Sequence, residues 1–177
     1  MKKLSLFFIM FSMIFVSCKT QKDVNQVVYN EVVNQKILYG NINRNGMMKK
    51  PFKDWFRTEY DAYTPDQTSI DFLKNRIPDN AKFVIVLASW CPDSRREVPR
   101  FFKILDAIDF DQSRVSVIAV DKDFYAGDNV DVAQYQIDKV PTFIYYHYGY
   151  EAGRIVESPQ ISLEKDLVDF SKRKGKN

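Results

Sequence analysis

Short unbroken apolar runs alternate along the chain with segments of helical spacing, as in proteins that combine strands and helices. The runs 82–88, 115–120 and 142–148 have the length of strands, and 82–88 is continuous enough to be buried on both faces of a sheet. A further apolar stretch ends at Val156 and follows a turn at Gly149. These segments predict a sheet whose final two strands are antiparallel.

The spacing of apolar residues also predicts four helical segments, at 65–76, 95–108, 130–136 and 162–172. Thr64 offers an N-cap hydroxyl to the first of them, with a proline next and Gln67 at the third helical position. Ser162 is the expected N-cap of the last. Strands and helices in this order predict an α/β fold with a central mixed sheet flanked by helices.

The first residues of the chain have the pattern of an export signal. Two lysines precede the apolar run 4–16, which is shorter than the roughly 20 residues that a transmembrane helix needs. The tail that ends at Ser17 and Cys18 resembles a bacterial lipobox, in which the cysteine is lipidated and becomes the new N-terminus. A plain signal peptide with a cysteine beside its cleavage site is the alternative. We predict a signal peptide at 1–17 and an exported protein held at the membrane by a lipid on Cys18.

Residues 18–63 are predicted to be an extension that precedes a domain at 64–177. The part 19–36 is polar apart from two valine pairs, and we expect a tether with a short amphipathic helix there. Aromatic residues are dense between 52 and 63. Such density favours packing of the extension onto the core over a surface that stacks nucleic-acid bases.

Composition narrows the chemistry further. The chain has 177 residues, 45% of them hydrophobic, which suits one globular domain with appendages. Two cysteines cannot form a disulfide framework or a four-cysteine zinc site, and a single histidine, His147, argues against histidine-based metal sites and catalytic triads. The formal net charge of +3 gives little support to a nucleic-acid partner. We therefore predict no metal, no cofactor and no nucleic acid.

Cys91 lies where the strand 82–88 ends and the next helix begins. At such a position the unpaired backbone amides and the positive end of the helix dipole stabilise a thiolate. Arg95 and Arg96 are expected to add to that effect. Cys91 is therefore the candidate reactive residue of the chain.

The neighbours of Cys91 favour an exposed thiol over a buried structural cysteine. Trp90 and Pro92 place it in a turn at the carboxyl edge of the predicted sheet, where ligands of α/β proteins usually bind. If Cys18 is lipidated, Cys91 is the only thiol of the mature chain.

Three motifs in this order resemble the thioredoxin superfamily, and the resemblance covers about 65–172. They are Trp90-Cys91-x-x-Ser94 at the strand–helix junction, Val140-Pro141-Thr142 before a strand, and Gly153-Arg154-Ile155-Val156 in the closing strand. The resemblance implies a thioredoxin-like fold and a catalytic site at Trp90, Cys91 and Ser94. It also implies that Pro141 is cis, faces the cysteine and, with Val140 and Thr142, holds an extended peptide. An ordinary proline at a strand start is the alternative for Pro141.

A narrower resemblance is carried by the segment 90–101 together with the aromatic extension upstream. This combination resembles thioredoxin-like lipoproteins with a C-x-x-S site in the envelope of Gram-negative bacteria. It implies a lipid-anchored protein in the cell envelope that faces the periplasm, and it implies no particular substrate.

Two positions depart from the superfamily pattern. Ser94 replaces the second active-site cysteine, and Ile85 stands where a buried carboxylate usually lies, six residues before Cys91. A serine hydroxyl cannot displace a mixed disulfide from the cysteine, although it can hydrogen-bond to the thiolate. The two losses fit one another, because a base that serves the second thiol has no task once that thiol is gone.

Two functions stay open at this point. The first is monothiol exchange of the reductase or isomerase type, in which Cys91 attacks a protein disulfide or a small-thiol adduct and an external thiol releases the product. The second is a non-catalytic thioredoxin-fold binding module of the cell envelope, with a groove between Trp90 and Pro141 that recognises a partner. Whether the chain is an enzyme depends on that choice. A cysteine peroxidase is disfavoured, since the hydroxyl residue expected three positions before the cysteine is Ala88.

Overall fold

The computed structural model describes residues 24–173, so the predicted signal peptide at 1–17 and the predicted lipidation residue Cys18 lie outside the described residues. The strands are β1 (Gln26–Asn30), β2 (Gln35–Ile42), β3 (Lys82–Leu87), β4 (Val115–Ala119), β5 (Thr142–His147) and β6 (Tyr150–Val156). The helices are α1 (Arg44–Met47), α2 (Lys53–Ala62), α3 (Gln67–Arg76), α4 (Pro92–Ala107) and α5 (Leu163–Lys172). Short 3-10 turns lie at Gln112–Arg114 and Ala133–Tyr135.

The strands form one mixed sheet in the order β1-β2-β4-β3-β5-β6. Strands β3 and β4 are parallel, and every other neighbouring pair is antiparallel, including the final pair β5 and β6. The predicted α/β architecture with a mixed central sheet is confirmed. Among residues 24–173, no helix is long and apolar enough to cross a membrane.

Strand β3 contributes to the apolar core on both faces of the sheet because its side chains alternate between those faces. Phe83, Ile85 and Leu87 point into the larger apolar cluster, to which helices α2 to α5 contribute. Val84 and Val86 point into a smaller cluster on the opposite face, which the segment 120–140 covers. An unbroken apolar run was the sequence signal for this doubly buried strand.

The chain before α3 differs most from expectation. Residues 26–42 form a β-hairpin in which Val27 pairs with Leu38 and Val28 with Ile37, so the short amphipathic helix expected within 19–36 is wrong for the part that the structure describes. Strand β2 then joins the central sheet by pairing with β4. Farther along, Phe56 of α2 is almost fully buried and its ring centroid lies 5.9 Å from that of Phe102. The prediction that aromatic residues of this region pack onto the core is confirmed.

The helix boundaries shift slightly from those predicted. Helix α3 is capped by the carboxylate of Asp66, which accepts the backbone N–H of Ser69, and not by Thr64. The stretch expected to be helical at 130–136 contains a 3-10 turn only. Ser162 does cap α5, as predicted. The architecture is that of a thioredoxin-like fold, with β3 leading into α4 and β5 and β6 closing the sheet.

Candidate active site at the start of α4

Cys91 is the N-cap residue of α4, which begins at Pro92, three residues earlier than the sequence indicated. Its backbone nitrogen donates to the carbonyl of Ala88 at 2.9 Å, which forms the turn between β3 and α4. Its Sγ donates a hydrogen bond to the carbonyl oxygen of Val140 at 3.3 Å. The Val140–Pro141 peptide bond is cis. The geometry that the resemblance implied, with a cis proline beside the cysteine, is therefore present.

The expected exposure of Cys91 is wrong, because the residue is only 8% exposed. It belongs to the smaller apolar cluster together with Ala88 and Val140, and Trp90 packs against the same cluster. The carbonyl of Val140 covers the sulfur from the side of the cis peptide. A disulfide can reach Sγ only after the hydrogen bond between Cys91 and Val140 is broken.

Ser94 lies in the first turn of α4 and is fully buried. Its Oγ accepts the backbone N–H of Ala88 at 3.2 Å. The hydrogen bond expected between Ser94 and Cys91 is thus replaced by one to the end of β3. Ile85, at the position where the superfamily has a carboxylate, is fully buried in the larger apolar cluster.

Arg96 does not direct its charge at the thiol as expected. It forms ion pairs with Asp93 at 2.7 Å and Glu97 at 2.6 Å, and the hydrogen bond to Glu97 raises the pKa of Arg96. Glu97 is almost completely buried, and Arg100 lies 3.6 Å from the same carboxylate. The positive charge of Arg96 is therefore balanced by two carboxylates of the same helix.

Arg95 binds neutral oxygens and makes no ion pair within residues 24–173, and its effect on the thiol stays a prediction. Its Nε donates to the carbonyl of Ser89 at 2.6 Å, and its Nη2 donates to Oε1 of Gln35 at 3.2 Å. The hydroxyl of Ser89 in turn accepts the backbone N–H of Leu38 at 2.9 Å. The β1–β2 hairpin is thus attached to the turn that precedes Cys91.

Trp90 forms one wall of the site. Its Nε1 donates to the carbonyl of Val120 at 3.3 Å. Nζ of Lys122 lies 3.9 Å from the centroid of its ring, within the range of a cation–π interaction. One face of the indole is therefore covered by a cation.

The segment 140–142 is already engaged in the chain's own hydrogen bonds. The carbonyl of Pro141 accepts the backbone N–H of Glu157 at 2.7 Å, and Oγ1 of Thr142 donates to the carbonyl of Lys139 at 2.7 Å. These bonds fix the loop that carries the cis peptide opposite Cys91. Its role in holding a substrate peptide stays a prediction.

A groove that the sequence did not indicate lies between α2 and α4, and we call it the α2–α4 groove. It has a volume of about 300 Å³ and is lined by Trp55, Thr58, Glu59, Pro92, Arg95 and Arg96. The dense aromatic residues of the extension were the only sequence signal for it. Within residues 24–173, no three His, Cys, Asp or Glu residues converge in a way that could hold a metal ion.

Comparison with known proteins reveals a distant relationship. No protein-family model matches the chain. Protein disulfide-isomerase A5 from Bos taurus is 31% identical over 114 residues, a match that covers 57% of this chain and 21% of that protein. The protein of the same name from Mus musculus is 32% identical over 116 residues, with coverage of 57% and 22%. The chain spans about a fifth of the length of these relatives, and the similarity agrees with its thioredoxin-like fold.

Two solved structures are similar at low sequence identity. A protein of unknown function from Pseudomonas aeruginosa has 15% identity and a TM-score of 0.42, with 66% of this chain and 74% of that chain covered. An HIV epitope scaffold has 16% identity and a TM-score of 0.42, with coverage of 60% and 62%.

Proposed function

We propose that this chain performs thiol–disulfide exchange through Cys91 as a single thiol, in the manner of a disulfide reductase or isomerase. The observation that carries the proposal is the position of Sγ, at the N-cap of α4 and 3.3 Å from the carbonyl that precedes the cis Pro141. The thiolate is the species that attacks a disulfide. The distant relationship to protein disulfide-isomerase A5 supports the same chemistry.

In the first step the Cys91 thiolate attacks one sulfur of a substrate disulfide. A mixed disulfide forms with Cys91, and the second substrate sulfur leaves as a thiolate that takes up a proton from solvent. Because a thiolate has no proton to donate, ionisation of Cys91 also ends the hydrogen bond to Val140 and leaves that carbonyl available to a peptide N–H.

The second step requires a thiol from outside the site. Ser94 occupies the position of a resolving cysteine, but its hydroxyl is buried, engaged with Ala88 and far too weak an acid to act as the leaving or attacking group. An external thiolate attacks the substrate sulfur of the mixed disulfide, carries it away in a new disulfide and restores the Cys91 thiolate. The chain thus exchanges disulfides and stores none of its own.

The burial of Cys91 favours a second candidate, a binding module of thioredoxin-like fold without catalysis. A residue that is 8% exposed and hydrogen-bonded within the chain resembles a structural cysteine. In that case the surface between Trp90 and Pro141 would recognise a partner, and the sulfur would only fill space in the smaller cluster.

The reactivity of the folded chain separates the two candidates. The Cys18→Ser variant of the full chain has Cys91 as its only thiol and is treated with 4,4′-dithiodipyridine, which releases thiopyridone, followed by its ultraviolet absorbance, when a thiolate attacks it. Exchange predicts one equivalent released from native protein, and none from a chain that also carries Cys91→Ser. Release that occurs only after unfolding in denaturant would rule out exchange and leave the binding module.

We also propose that the protein is exported and anchored by a lipid on Cys18, so that the domain faces the periplasm of a Gram-negative bacterium. The lysines, the short apolar run and the Ser17-Cys18 pair support this location. Metabolic labelling with a radioactive fatty acid is expected to mark the protein, and Cys18→Ser is expected to abolish the label. A labelled Cys18→Ser chain would contradict the anchor.

A further inference from the structure

We propose that the α2–α4 groove binds the external thiol that releases products from Cys91, and that this thiol is a small molecule whose carboxylate is recognised by Arg95. The inference rests on the proposed function, because only a chain that forms a mixed disulfide needs such a thiol. It adds the chemical class of the second substrate and the place where that substrate binds.

The need for this substrate follows from the residues around the sulfur. Cys91 is the only cysteine within residues 24–173, and the hydroxyl of Ser94 is fixed to Ala88. The thiol that attacks the mixed disulfide therefore has to come from a separate molecule. Its thiolate forms a bond to the substrate sulfur, the bond between that sulfur and Cys91 breaks, and the electron pair returns to Cys91.

The groove lies beside the turn that carries the reactive residue. Pro92, which follows Cys91 directly, is one of its lining residues, and Arg95 is another. The backbone nitrogen of Arg95 donates to the carbonyl of Cys91 at 3.1 Å, and its Nε donates to the carbonyl of Ser89 at 2.6 Å. The guanidinium is thereby held against the carbonyl of Ser89, two residues before Cys91.

The charges that line the groove leave one cation without a carboxylate. Arg96 is paired with Asp93 and Glu97, and Glu59 is paired with Arg100 at 2.7 Å. Arg95 contacts only a backbone carbonyl and a glutamine amide, and its Nη1 has no hydrogen-bond partner within the described part of the chain. A positively charged planar guanidinium with available donors favours a carboxylate ligand.

The dimensions and remaining walls of the groove fit a small thiol. A volume of about 300 Å³ lies at the lower end of the range for small-molecule sites. Trp55 and Pro92 provide apolar surface for the methylene groups that join a carboxylate to a sulfur. The main competing occupant is a side chain of a protein substrate, and the experiment below includes that outcome.

The test measures how fast two matched thiols resolve the same mixed disulfide. The methyl disulfide of Cys91 is prepared with methyl methanethiosulfonate in the full chain with Cys18→Ser, because its methylthio group carries no carboxylate. The rate at which 3-mercaptopropionate or the neutral 3-mercaptopropionamide frees the Cys91 thiol is then read by acid quenching and mass spectrometry, which separates the free thiol from any Cys91 adduct of the added thiol. The ratio of the two rates is compared between the parent chain and Arg95→Gln, so that differences in intrinsic thiol reactivity cancel.

We expect Arg95→Gln to lower the ratio of the carboxylate thiol to the amide thiol by about two- to fivefold at low salt, the range of a solvent-accessible ion pair. Added salt is expected to shrink the preference of the parent chain. Arg95→Lys keeps the charge and is expected to retain part of the preference. Arg76→Gln, on the exposed last turn of α3, removes the same charge elsewhere and is expected to leave the ratio unchanged.

Several results would overturn the inference. The inference fails if the ratio of the carboxylate-thiol rate to the amide-thiol rate is the same in the parent chain and in Arg95→Gln. It also fails if Arg76→Gln lowers that ratio as much as Arg95→Gln does. Should Arg95→Gln fail to fold, a salt-independent ratio in the parent chain would count against it as well. If groove variants slow the reduction of a protein disulfide without changing the ratio, the occupant is the protein substrate. A native chain that releases no thiopyridone from 4,4′-dithiodipyridine refutes the exchange function itself, which is a different result.

Discussion

Oγ of Ser94 lies 3.2 Å from the backbone nitrogen of Ala88 and accepts its hydrogen bond across the turn that carries Cys91. The bond joins the first turn of α4 to the end of β3. The serine at this position therefore has a structural task that does not depend on the sulfur. A thiol at the same position would be a weaker acceptor for Ala88 but a far better partner for Cys91.

Replacement of Ser94 by cysteine is expected to give the chain a dithiol site. Residues three apart at a helix start lie on the same side, so the variant should form an intramolecular disulfide with Cys91 on mild oxidation. Thiol titration in the Cys18→Ser background should then find no free thiol. Loss of the Ala88 hydrogen bond should lower the free energy of unfolding of the reduced form by about 1 kcal/mol.

The matched control for that variant is Asp93→Cys, which places a thiol on the same turn but on another side of the helix. Its two thiols are expected to stay free under the same oxidation. If the Ser94→Cys chain also keeps two free thiols, the first turn of α4 is too rigid or too far from Cys91 for dithiol chemistry.

Tyr63 fastens the chain before α3 to α5. Its hydroxyl donates to Oε2 of Glu164 at 2.6 Å, while Oε1 accepts the backbone N–H of Asp66 at 2.9 Å. Burial and the bond to Glu164 raise the pKa of Tyr63. Tyr63→Phe leaves one oxygen of a buried carboxylate without this donor, and we expect the free energy of unfolding to fall by about 1–3 kcal/mol.

Urea denaturation provides the measurement for Tyr63→Phe, with a lower midpoint and an unchanged slope as the expected result. Tyr150→Phe removes a hydroxyl from an exposed tyrosine and serves as the control. Equal midpoints for Tyr63→Phe and the parent chain would mean that the bond to Glu164 adds nothing to stability.

Gly153 lies directly under the ring of Phe170, where β6 packs against α5. A Cβ on this residue would overlap the ring carbons, although the backbone conformation itself suits any residue. Gly153→Ala is expected to destabilise the fold by about 1–3 kcal/mol through overpacking. In a double-mutant cycle, the substitution should cost far less when Phe170 is already alanine. Equal costs in the two backgrounds would show that the ring is not the source of the clash.

Tyr145 buries a hydroxyl that has no hydrogen-bond partner within residues 24–173. Because an unpaired buried hydroxyl is unfavourable, Tyr145→Phe should keep or raise the free energy of unfolding, by up to about 1 kcal/mol. Burial also raises the pKa of Tyr145 from 10.0 to about 12. Below pH 10, the unfolded value, Tyr145 is protonated in both states and its titration does not affect stability, whereas the free energy of unfolding falls as the pH rises from there through the folded value.

Alkaline denaturation curves check the second part of this prediction. The parent chain should lose stability more steeply between pH 10 and pH 12 than Tyr145→Phe does. Superimposable curves for the parent chain and Tyr145→Phe would contradict the assignment.

The central strands were predictable from the sequence because burial on both faces leaves an unbroken apolar run, as in β3. The β1–β2 hairpin was not. Val27 of β1 is 48% exposed, although its partner Leu38 in β2 is fully buried. Apolar and polar residues therefore do not alternate regularly along either strand. Their pairing depends on contact with β4, some 80 residues away in the sequence, which local patterns do not record.

The candidate site was also predictable from the sequence only in part. The positions of Cys91 and Pro141 follow from motifs, and the cis peptide follows from the family resemblance. The α2–α4 groove could not be predicted, because Trp55 and Arg95 meet only when α2 packs against α4. The sequence also did not predict which partners Arg95 and Arg96 bind near the thiol. A guanidinium can reach several hydrogen-bond acceptors, and the sequence does not show which of them it contacts.

The hydrogen bonds between the β1–β2 hairpin and the turn that precedes Cys91 couple these two segments mechanically. The N–H of Leu38 is bound to the Ser89 side chain, and Arg95 bridges Gln35 to the Ser89 carbonyl. Force applied to β2 therefore has one path through Arg95 to the carbonyl of Ser89, two residues before Cys91. A protein held by its N-terminus would transmit part of its load to the turn that precedes Cys91.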